Sequence, residues 1–289
     1  MSLRRKLSIV CCFELATEDL EEVQEQMDGD DVLEDAWGLL CPEQEVERLE
    51  SKEENREKMQ GVNSEHEQEP IPDLAVSNQQ IGHVEKANVM SLRPNCIAVV
   101  ETWLTVDSSF QTSHIEGYNF HSRPRSLSYQ SSGHLALTRL LGQQHGGVGM
   151  YCEENLNYEV AVQDFCLECL ANYFAEHKII VAVVYRPPSY PMSLFKYNLD
   201  RLLNWLESHC ATVAVLGDFN DDILKSSSLC NFMMERGYVQ YVKSPTTERG
   251  TLIDHLYLKS TEYDLDSVVV PTYFSDHEGI VCSFKSLNV

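Results

Sequence analysis

Six short apolar runs, rich in β-branched residues and bounded by turn-forming residues, constrain the fold of this chain most strongly. They span residues 96–100, 147–152, 178–185, 212–216, 252–258 and 279–284. Residues 193–209 carry apolar side chains at spacings of mostly three and four, which indicates an amphipathic helix. Strands that alternate with a covering helix predict an α/β fold, in which two mixed sheets pack as a two-layered β-sandwich with flanking helices.

The first 87 residues differ in composition from the rest of the chain. They carry 8 basic and 23 acidic residues, and residues 44–68 have almost nothing apolar to bury. This composition predicts a largely disordered acidic segment at 1–87, followed by one folded domain at 88–289. The opening run, 1–13, is basic and then apolar, but Glu14 ends it and no small-residue cleavage site follows, so we do not expect a signal peptide.

Net charge and cysteine usage restrict partners and compartment. The formal charge of −23 works against nucleic-acid binding, although a site built for a divalent cation is itself acidic. The ten cysteines show no paired metal-binding pattern, so we expect free thiols in a reducing compartment. No apolar run approaches the ~20 residues that span a bilayer. We therefore expect a nuclear or cytoplasmic protein that is neither secreted nor bound to a membrane.

Acidic motifs follow or begin the apolar runs, where an α/β sheet presents its catalytic groups. A single Asp after a strand is more often a turn former or a helix cap, so the conjunction of several carries the inference. Phosphodiester hydrolysis needs an activated water, a cation and donors that hold the phosphate, and carboxylate and amide ligands suit Mg²⁺. The candidate residues are Glu101, Asp218, Asn220, Asp254, Asp276 and His277.

Eight short motifs in one order resemble the endonuclease domains of non-LTR (LINE-like) retrotransposons. That group belongs to the endonuclease/exonuclease/phosphatase superfamily and is similar to apurinic endonucleases and DNase I. The resemblance covers about residues 88–284 and implies a DNase I-like fold. The motifs are Glu101-Thr-Trp-Leu, Gly117-Tyr-Asn, Gly146-Gly-Val, Val184-Tyr-Arg-Pro-Pro, Gly217-Asp-Phe-Asn, Pro245-Thr, Gly250-Thr-Leu-Ile-Asp and Ser275-Asp-His.

The resemblance implies a metal site and a base. Glu101 would coordinate Mg²⁺, with Mn²⁺ as a substitute, and Asp276 would lie near the same metal. Asp218 would act as the base on the attacking water, and Asn220 would orient that water and bind substrate.

The resemblance also implies contacts to the phosphate. His277, held by Asp254, would stabilise the charge of the pentacovalent phosphorus, and Tyr185 would donate a hydrogen bond to the phosphate. Asn88, in the motif that opens the family domain, would contact substrate.

Two departures from the family pattern affect the expected fold. Only Arg93 separates the opening motif from residues 94–101, whereas a parallel crossover needs about a dozen residues. Residues 81–87 do not form a convincing strand either, so the sequence leaves open whether the first strand–helix unit is present. Residues 126–144 are longer than the matching loop of most relatives, and we expect them to extend a surface loop away from the chemistry.

Three functions remain open. The favoured one is a Mg²⁺-dependent phosphodiesterase, a DNA-nicking endonuclease of retroelement origin. The alternative is a catalytically inactive or domesticated remnant that binds another protein through its acidic N-terminal segment. A third, the least favoured, is hydrolysis of an inositol phosphate, a sphingolipid or a nucleotide-linked ester, because fold alone does not decide the substrate.

Overall fold

The structure is a computed structural model, and it describes residues 8–14, 94–106, 114–143, 145–161, 164–272 and 275–287. The described strands are β1 (Ser8–Glu14), β2 (Cys96–Val100), β3 (Tyr118–Arg123), β4 (Val148–Glu153), β5 (Tyr158–Ala161), β6 (Glu168–Phe174), β7 (Ile179–Tyr185), β8 (Thr212–Asp218), β9 (Val239–Gln240), β10 (Asp254–Lys259), β11 (Tyr263–Val270) and β12 (Gly279–Ser286). The described helices are α1 (Arg125–Ser128), α2 (Leu135–Leu141), α3 (Met192–His209) and α4 (Ser228–Glu235). All six predicted strands and the predicted helix at 193–209 are confirmed, with small differences at their ends.

The strands form two six-stranded sheets. The first sheet has the order β11-β12-β1-β2-β4-β3, and the second has the order β5-β6-β7-β8-β10-β9. Both sheets mix parallel and antiparallel pairs, since β1 runs parallel to β12 and β7 runs parallel to β8. The predicted α/β class with mixed sheets is confirmed.

The alternation of side chains along β7 shows how the layers pack. Val181 and Val183 belong to the core that β7 shares with β2 and β4 of the first sheet. Ile180 and Ala182 point the other way, into a second core with the apolar face of α3. Because both faces of this strand are covered, its sequence is continuously apolar, as expected for a buried strand. The protein is therefore a β-sandwich with helices on the outer face of the second sheet.

The strand that precedes β2 in the first sheet comes from the N-terminal segment. Ser8–Glu14 pairs antiparallel with β2 over five residue pairs and parallel with β12 over three. The expectation that 1–87 stands apart from the folded domain is therefore wrong for this segment. The short junction at Arg93 needs no parallel crossover, because the neighbouring strand runs antiparallel and enters from elsewhere in the chain. Residues 15–93, and with them Asn88, lie outside the described residues.

Residues 126–144 do not form the expected loop away from the chemistry. They contain most of α1 and all of α2, and Tyr129, Leu137 and Leu140 are buried in the second core. Gln143, at the end of this stretch, lines a cavity beside Glu101. The expectation of a surface loop was wrong because the three buried apolar residues of this stretch are spaced among Gly, Ser and Gln, which are typical of a surface segment.

Two further features of the described residues are the state of the cysteines and the character of the helices. Among the cysteines whose side chains are described, Cys152, Cys166, Cys169, Cys210 and Cys230 are free thiols. Within the described part of the chain, no helix combines the length and the apolar character that a membrane crossing requires.

We predict that deletion of residues 1–14 unfolds the domain. The deletion leaves the facing edges of β2 and β12 unpaired inside the sheet, and at about 1 kcal/mol for each lost hydrogen bond the loss approaches the total stability of a domain. Circular dichroism and thermal unfolding would measure the effect. Deletion of residues 1–7 is the matched control, because it retains β1. A Δ1–14 protein that melts at the wild-type temperature would contradict the placement of this strand.

Candidate active site

The candidate residues gather at one end of the sandwich because strand pairing brings them there. Asp218 ends β8 and faces Asp254, which begins the antiparallel strand β10. Tyr185 ends β7, the parallel neighbour of β8. Glu101 follows β2 in the other sheet and meets Tyr185 across the sandwich, where the tyrosine hydroxyl donates a hydrogen bond to its carboxylate. Both layers therefore contribute to one site.

Asp254 and His277 form a buried ion pair. His277 Nδ1 lies 2.9 and 3.1 Å from the two carboxylate oxygens of Asp254, and Asp254 is 1% exposed. Burial alone would lower the pKa of the imidazole. The hydrogen bond and charge of Asp254, with the charges of Asp218 and Asp276, outweigh burial and raise the pKa of His277 to about 9. His277 is therefore a cation at neutral pH.

Asp218 is buried at the centre of this charge cluster. Its carboxylate accepts hydrogen bonds from the Asn220 backbone N–H at 2.8 Å and from the Asn220 side chain at 3.1 Å. Burial raises the pKa of Asp218 well above its usual range, and the charges of Asp254 and Glu101 raise it further, against the opposing charge of His277. A carboxylate with a raised pKa is a better proton acceptor, as a general base requires.

A glycine pair supports the segment that carries Glu101. The backbone N–H of Trp103 donates to Gly146 O at 2.8 Å, and the N–H of Thr102 donates to Gly147 O. Glu101 and Trp103 both have positive φ, at 54° and 52°, a conformation that a non-glycine residue adopts only when its surroundings hold it. The Gly146-Gly-Val motif therefore holds the backbone segment that carries Glu101.

Asp276 is partly buried and lies in the turn before β12. Its carbonyl oxygen accepts from the backbone N–H of Glu248, and His277 forms an isolated β-bridge with Thr247. The hydroxyl of buried Thr246 accepts from the backbone N–H of Asp254 at 3.1 Å. The Pro245-Thr motif therefore holds both the start of β10 and the Ser-Asp-His turn, which aligns Asp254 with His277.

Arg186 is a supporting residue that the sequence did not single out. It is buried, and its guanidinium donates to the carbonyl oxygens of Phe219, Asn220 and Tyr190 at 2.9–3.0 Å. The Asn220 side chain in turn donates to Arg186 O. The Val-Tyr-Arg-Pro-Pro motif pointed to this position, but its role could not be found from sequence, because a buried arginine bonded to backbone carbonyls leaves no pattern of its own.

His255, to which the sequence assigned no role, is part of the core. Its Nε2 lies 2.8 Å from the Asp221 carbonyl oxygen, and its Nδ1 lies 2.9 Å from the Tyr257 hydroxyl. Burial lowers the pKa of His255 to about 4 and keeps the ring neutral. The ring stacks on Phe219, so it supports the Gly-Asp-Phe-Asn turn through packing.

The donor set fits a divalent cation. Asp218, Asp254 and His277 place ligand atoms within 4.8 Å of one another. His277, however, is paired with Asp254 and is protonated at neutral pH, and an imidazolium is a poor metal ligand. The charges of Asp254 and Glu101 both act on buried Asp218, a local excess of negative charge that a cation would offset. The carboxylates therefore fit a hard cation better than the histidine does.

Comparison with known proteins gives one matching family and several similar solved structures. A family model described as the Endonuclease/Exonuclease/phosphatase family matches residues 77–277. No curated protein sequence matches the chain.

Three solved structures have a fold similar to that of this chain. A 3'-5' exonuclease from Neisseria meningitidis is 13% identical, covers 67% of this chain and 89% of its own, and has a TM-score of 0.47. The endonuclease domain of TRAS1, a telomere-specific non-LTR retrotransposon, is 13% identical, with coverages of 58% and 77% and a TM-score of 0.42. TDP2 from C. elegans is 13% identical, with coverages of 65% and 64% and a TM-score of 0.44.

We predict that Gly217→Ala destabilises the protein by about 3 kcal/mol or more. A Cβ at Gly217 would lie 1.8 Å from the carbonyl oxygen of Val184 on β7, so the strands that carry Tyr185 and Asp218 would have to separate. Gly133→Ala is the matched control, because no atom lies within 4 Å of its Cβ position. Urea unfolding measures both, and equal midpoints would refute the close approach of β7 and β8.

We predict that Asp254→Asn lowers the pKa of His277 from about 9, because the hydrogen bond and charge of Asp254 are the largest causes that oppose the effect of burial. NMR titration of the imidazole in EDTA measures this. In the wild type the raised pKa adds stability that is full below pH 6.5 and is lost as the pH rises through about 9. Asp266→Asn, at an exposed ion pair on β11, should leave the titration unchanged. An Asp254→Asn protein whose His277 still titrates near 9 would show that other charges hold the proton.

Proposed function

The chain belongs to the Endonuclease/Exonuclease/phosphatase family, and on that basis we propose that it is a Mg²⁺-dependent phosphodiesterase that nicks DNA. The observation that carries the proposal is the buried group of Asp218, Asp254 and His277, in which a carboxylate with a raised pKa lies beside a charged imidazolium. A base and a cation at this separation suit attack of water on a phosphodiester.

Asp218 and Asn220 would prepare the nucleophile. The raised pKa of Asp218 suits it to take a proton from water. Asn220 holds that carboxylate through two hydrogen bonds, so the direction in which the base faces is set before substrate binds.

His277 and Tyr185 would hold the phosphate. The imidazolium of His277, fixed through Nδ1, has Nε2 left to donate to a phosphate oxygen on which charge develops. The Tyr185 hydroxyl donates to Glu101 in this structure. It is available to phosphate only when Glu101 has another partner.

Glu101 and Asp276 are the residues we assign to the cation. When bound, Mg²⁺, or Mn²⁺ in its place, would neutralise phosphate charge. Glu101 offers an oxygen ligand of the kind that Mg²⁺ prefers, and its charge already acts on Asp218. A role of Asn88 in substrate binding stays a prediction from the resemblance, since it lies outside the described residues.

DNA as the substrate and a retroelement origin are supported by the forms of two motifs. Glu101-Thr-Trp-Leu and Val184-Tyr-Arg-Pro-Pro resemble the LINE-like branch, and the nucleus is the compartment in which such an activity would meet genomic DNA. The negative charge is concentrated in residues 1–87, so it weighs less against DNA binding by the domain itself.

We predict Mg²⁺-dependent nicking of supercoiled plasmid that EDTA abolishes. Asp218→Ala and His277→Ala should each lower the nicking rate by about 10²- to 10⁴-fold, the contribution typical of a general base or a positioned charge. The full chain should be used, because β1 comes from residues 8–14. Asp266→Ala, which removes an exposed carboxylate on β11, is the matched control and should nick at the wild-type rate.

Retained nicking by both site variants would overturn the proposal that this site cleaves DNA. A folded chain that nicks nothing, and whose thermal unfolding does not respond to Mg²⁺, would favour the alternative function. In that function the domain is an inactive or domesticated remnant, and the acidic segment binds a protein partner.

A further inference from the structure

A cavity of about 350 Å³ lies directly beside the candidate site. Glu101 and Tyr185 belong to its lining, and so do Trp103, Arg125 and Gln143. None of the last three has a role in the proposed hydrolysis. A volume near the lower end of the range for small-ligand sites has room for roughly one nucleoside.

Aromatic and apolar side chains form much of the cavity wall. The rings of Trp103 and His145 lie 4.2 Å apart, and Pro187 and Pro188 of the Val-Tyr-Arg-Pro-Pro motif contribute the apolar lining near Tyr185. Trp103 is held at a φ of 52°, and its indole N–H is buried without a hydrogen-bond partner in the part of the chain described. A backbone this strained persists only where the surrounding structure fixes it, so the main chain that carries the indole is held in place beside the cavity.

The polar part of the lining is built around Arg125, whose charge is paired. Arg125 is 5% exposed, and its Nε donates to the fully buried carboxylate of Glu168 at 2.7 Å. Its Nη1 donates to Gln143 Oε1 at 3.2 Å, which leaves the Gln143 amide N–H groups as donors. The guanidinium also lies over the Tyr185 ring, 5.8 Å from its centroid. The cavity thus offers hydrogen-bond donors on Arg125 and Gln143, and the positive charge of Arg125 is already paired.

We propose that this cavity binds a nucleobase of the cleaved strand, next to the scissile phosphodiester, by stacking on Trp103 and by hydrogen bonds from Arg125 and Gln143 to the acceptor edge of the base. The proposal rests on the proposed function, since it assigns part of the substrate of the same site. Every base has a π-face that stacks on an aromatic ring, and base carbonyl and ring nitrogen atoms accept from Arg and Gln side chains.

The chemistry of the lining favours a base over an anionic headgroup. An inositol phosphate or a lipid headgroup would need unpaired cations, whereas Arg125 is paired with Glu168 and Glu101 adds a negative charge. A flat aromatic ligand instead matches the indole, the imidazole and the two prolines.

The test is a double-mutant cycle that combines a protein variant with a modified DNA substrate. Oligonucleotides with one mapped nicking site would carry a tetrahydrofuran abasic residue on either side of the scissile phosphate. Trp103→Ala should lower the rate on intact DNA by roughly 10- to 100-fold. At one of the two positions the abasic residue should lower the wild-type rate by a similar factor, and there Trp103→Ala should have no further effect.

Three more variants of the full chain guard against a folding artefact. Trp103→Phe keeps an aromatic face and should retain most of the rate, while Gln143→Ala, at an exposed position, should lose several-fold on intact DNA only. Trp205→Phe is the matched control and should nick at the wild-type rate. Trp205 lies on α3, packs against Phe165 and does not line the cavity. Equal losses for Trp103→Ala on intact and abasic DNA, or no loss at all, would overturn the subsite and leave the proposed nuclease intact.

If the wild-type chain nicks no DNA, the nuclease proposal fails and binding still tests the cavity. Titration with a deoxydinucleotide should quench tryptophan fluorescence in the wild type and quench it less in Trp103→Phe, because a base stacked on the indole alters its emission. Equal quenching in the two proteins, or none, would overturn the subsite in that case as well.

Discussion

Two carboxylates placed opposite each other by strand pairing are the constraint on which the site depends. Asp218 and Asp254 are partners in the register of β8 and β10, and like charges at directly opposed positions oppose pairing. The sheet accommodates them because His277 carries a positive charge against Asp254 and because Asn220 donates two hydrogen bonds to Asp218. Burial and the charge of Asp254 raise the pKa of Asp218, and the hydrogen bond and charge of Asp254 raise that of His277, so the properties needed for the proposed catalysis follow from the way the sheet is held together.

The residues around this pair act mainly through the backbone. Arg186 bonds to the carbonyl oxygens of the turn that carries Asn220, and the Thr246 hydroxyl accepts from the first N–H of β10. Gly217 lets two strands approach more closely than any side chain would allow. Small shifts at any of these positions would move the carboxylates relative to the imidazolium, and catalytic rates fall steeply with such displacements.

The sequence predicted the buried strands and the acidic residues that gather at their ends, because continuous apolar runs that end in Asp or Glu are strong local signals. It missed β3, β5, β6, β9 and β11, where exposed or polar positions interrupt the apolar pattern, as Asp264 and Asp266 do in β11. It did not find β1, since the partners of that strand are remote in sequence and no local pattern encodes the pairing. The cavity was missed for a similar reason: Trp103, Arg125 and Gln143 come from three separate segments.

The position of β1 also has a consequence for biosynthesis. Ser8–Glu14 is hydrogen-bonded to β12, which is made almost a full chain length later, so the first sheet cannot close until translation has passed Gly279–Ser286. Until then β1 can pair only with β2, and contacts of such high sequence separation form slowly because their loop-closure entropy is lost before pairing compensates for it. The second sheet, whose β6, β7 and β8 are consecutive along the chain, can form as it emerges from the ribosome. Nascent chains should therefore depend on chaperones at the first sheet and much less at the second.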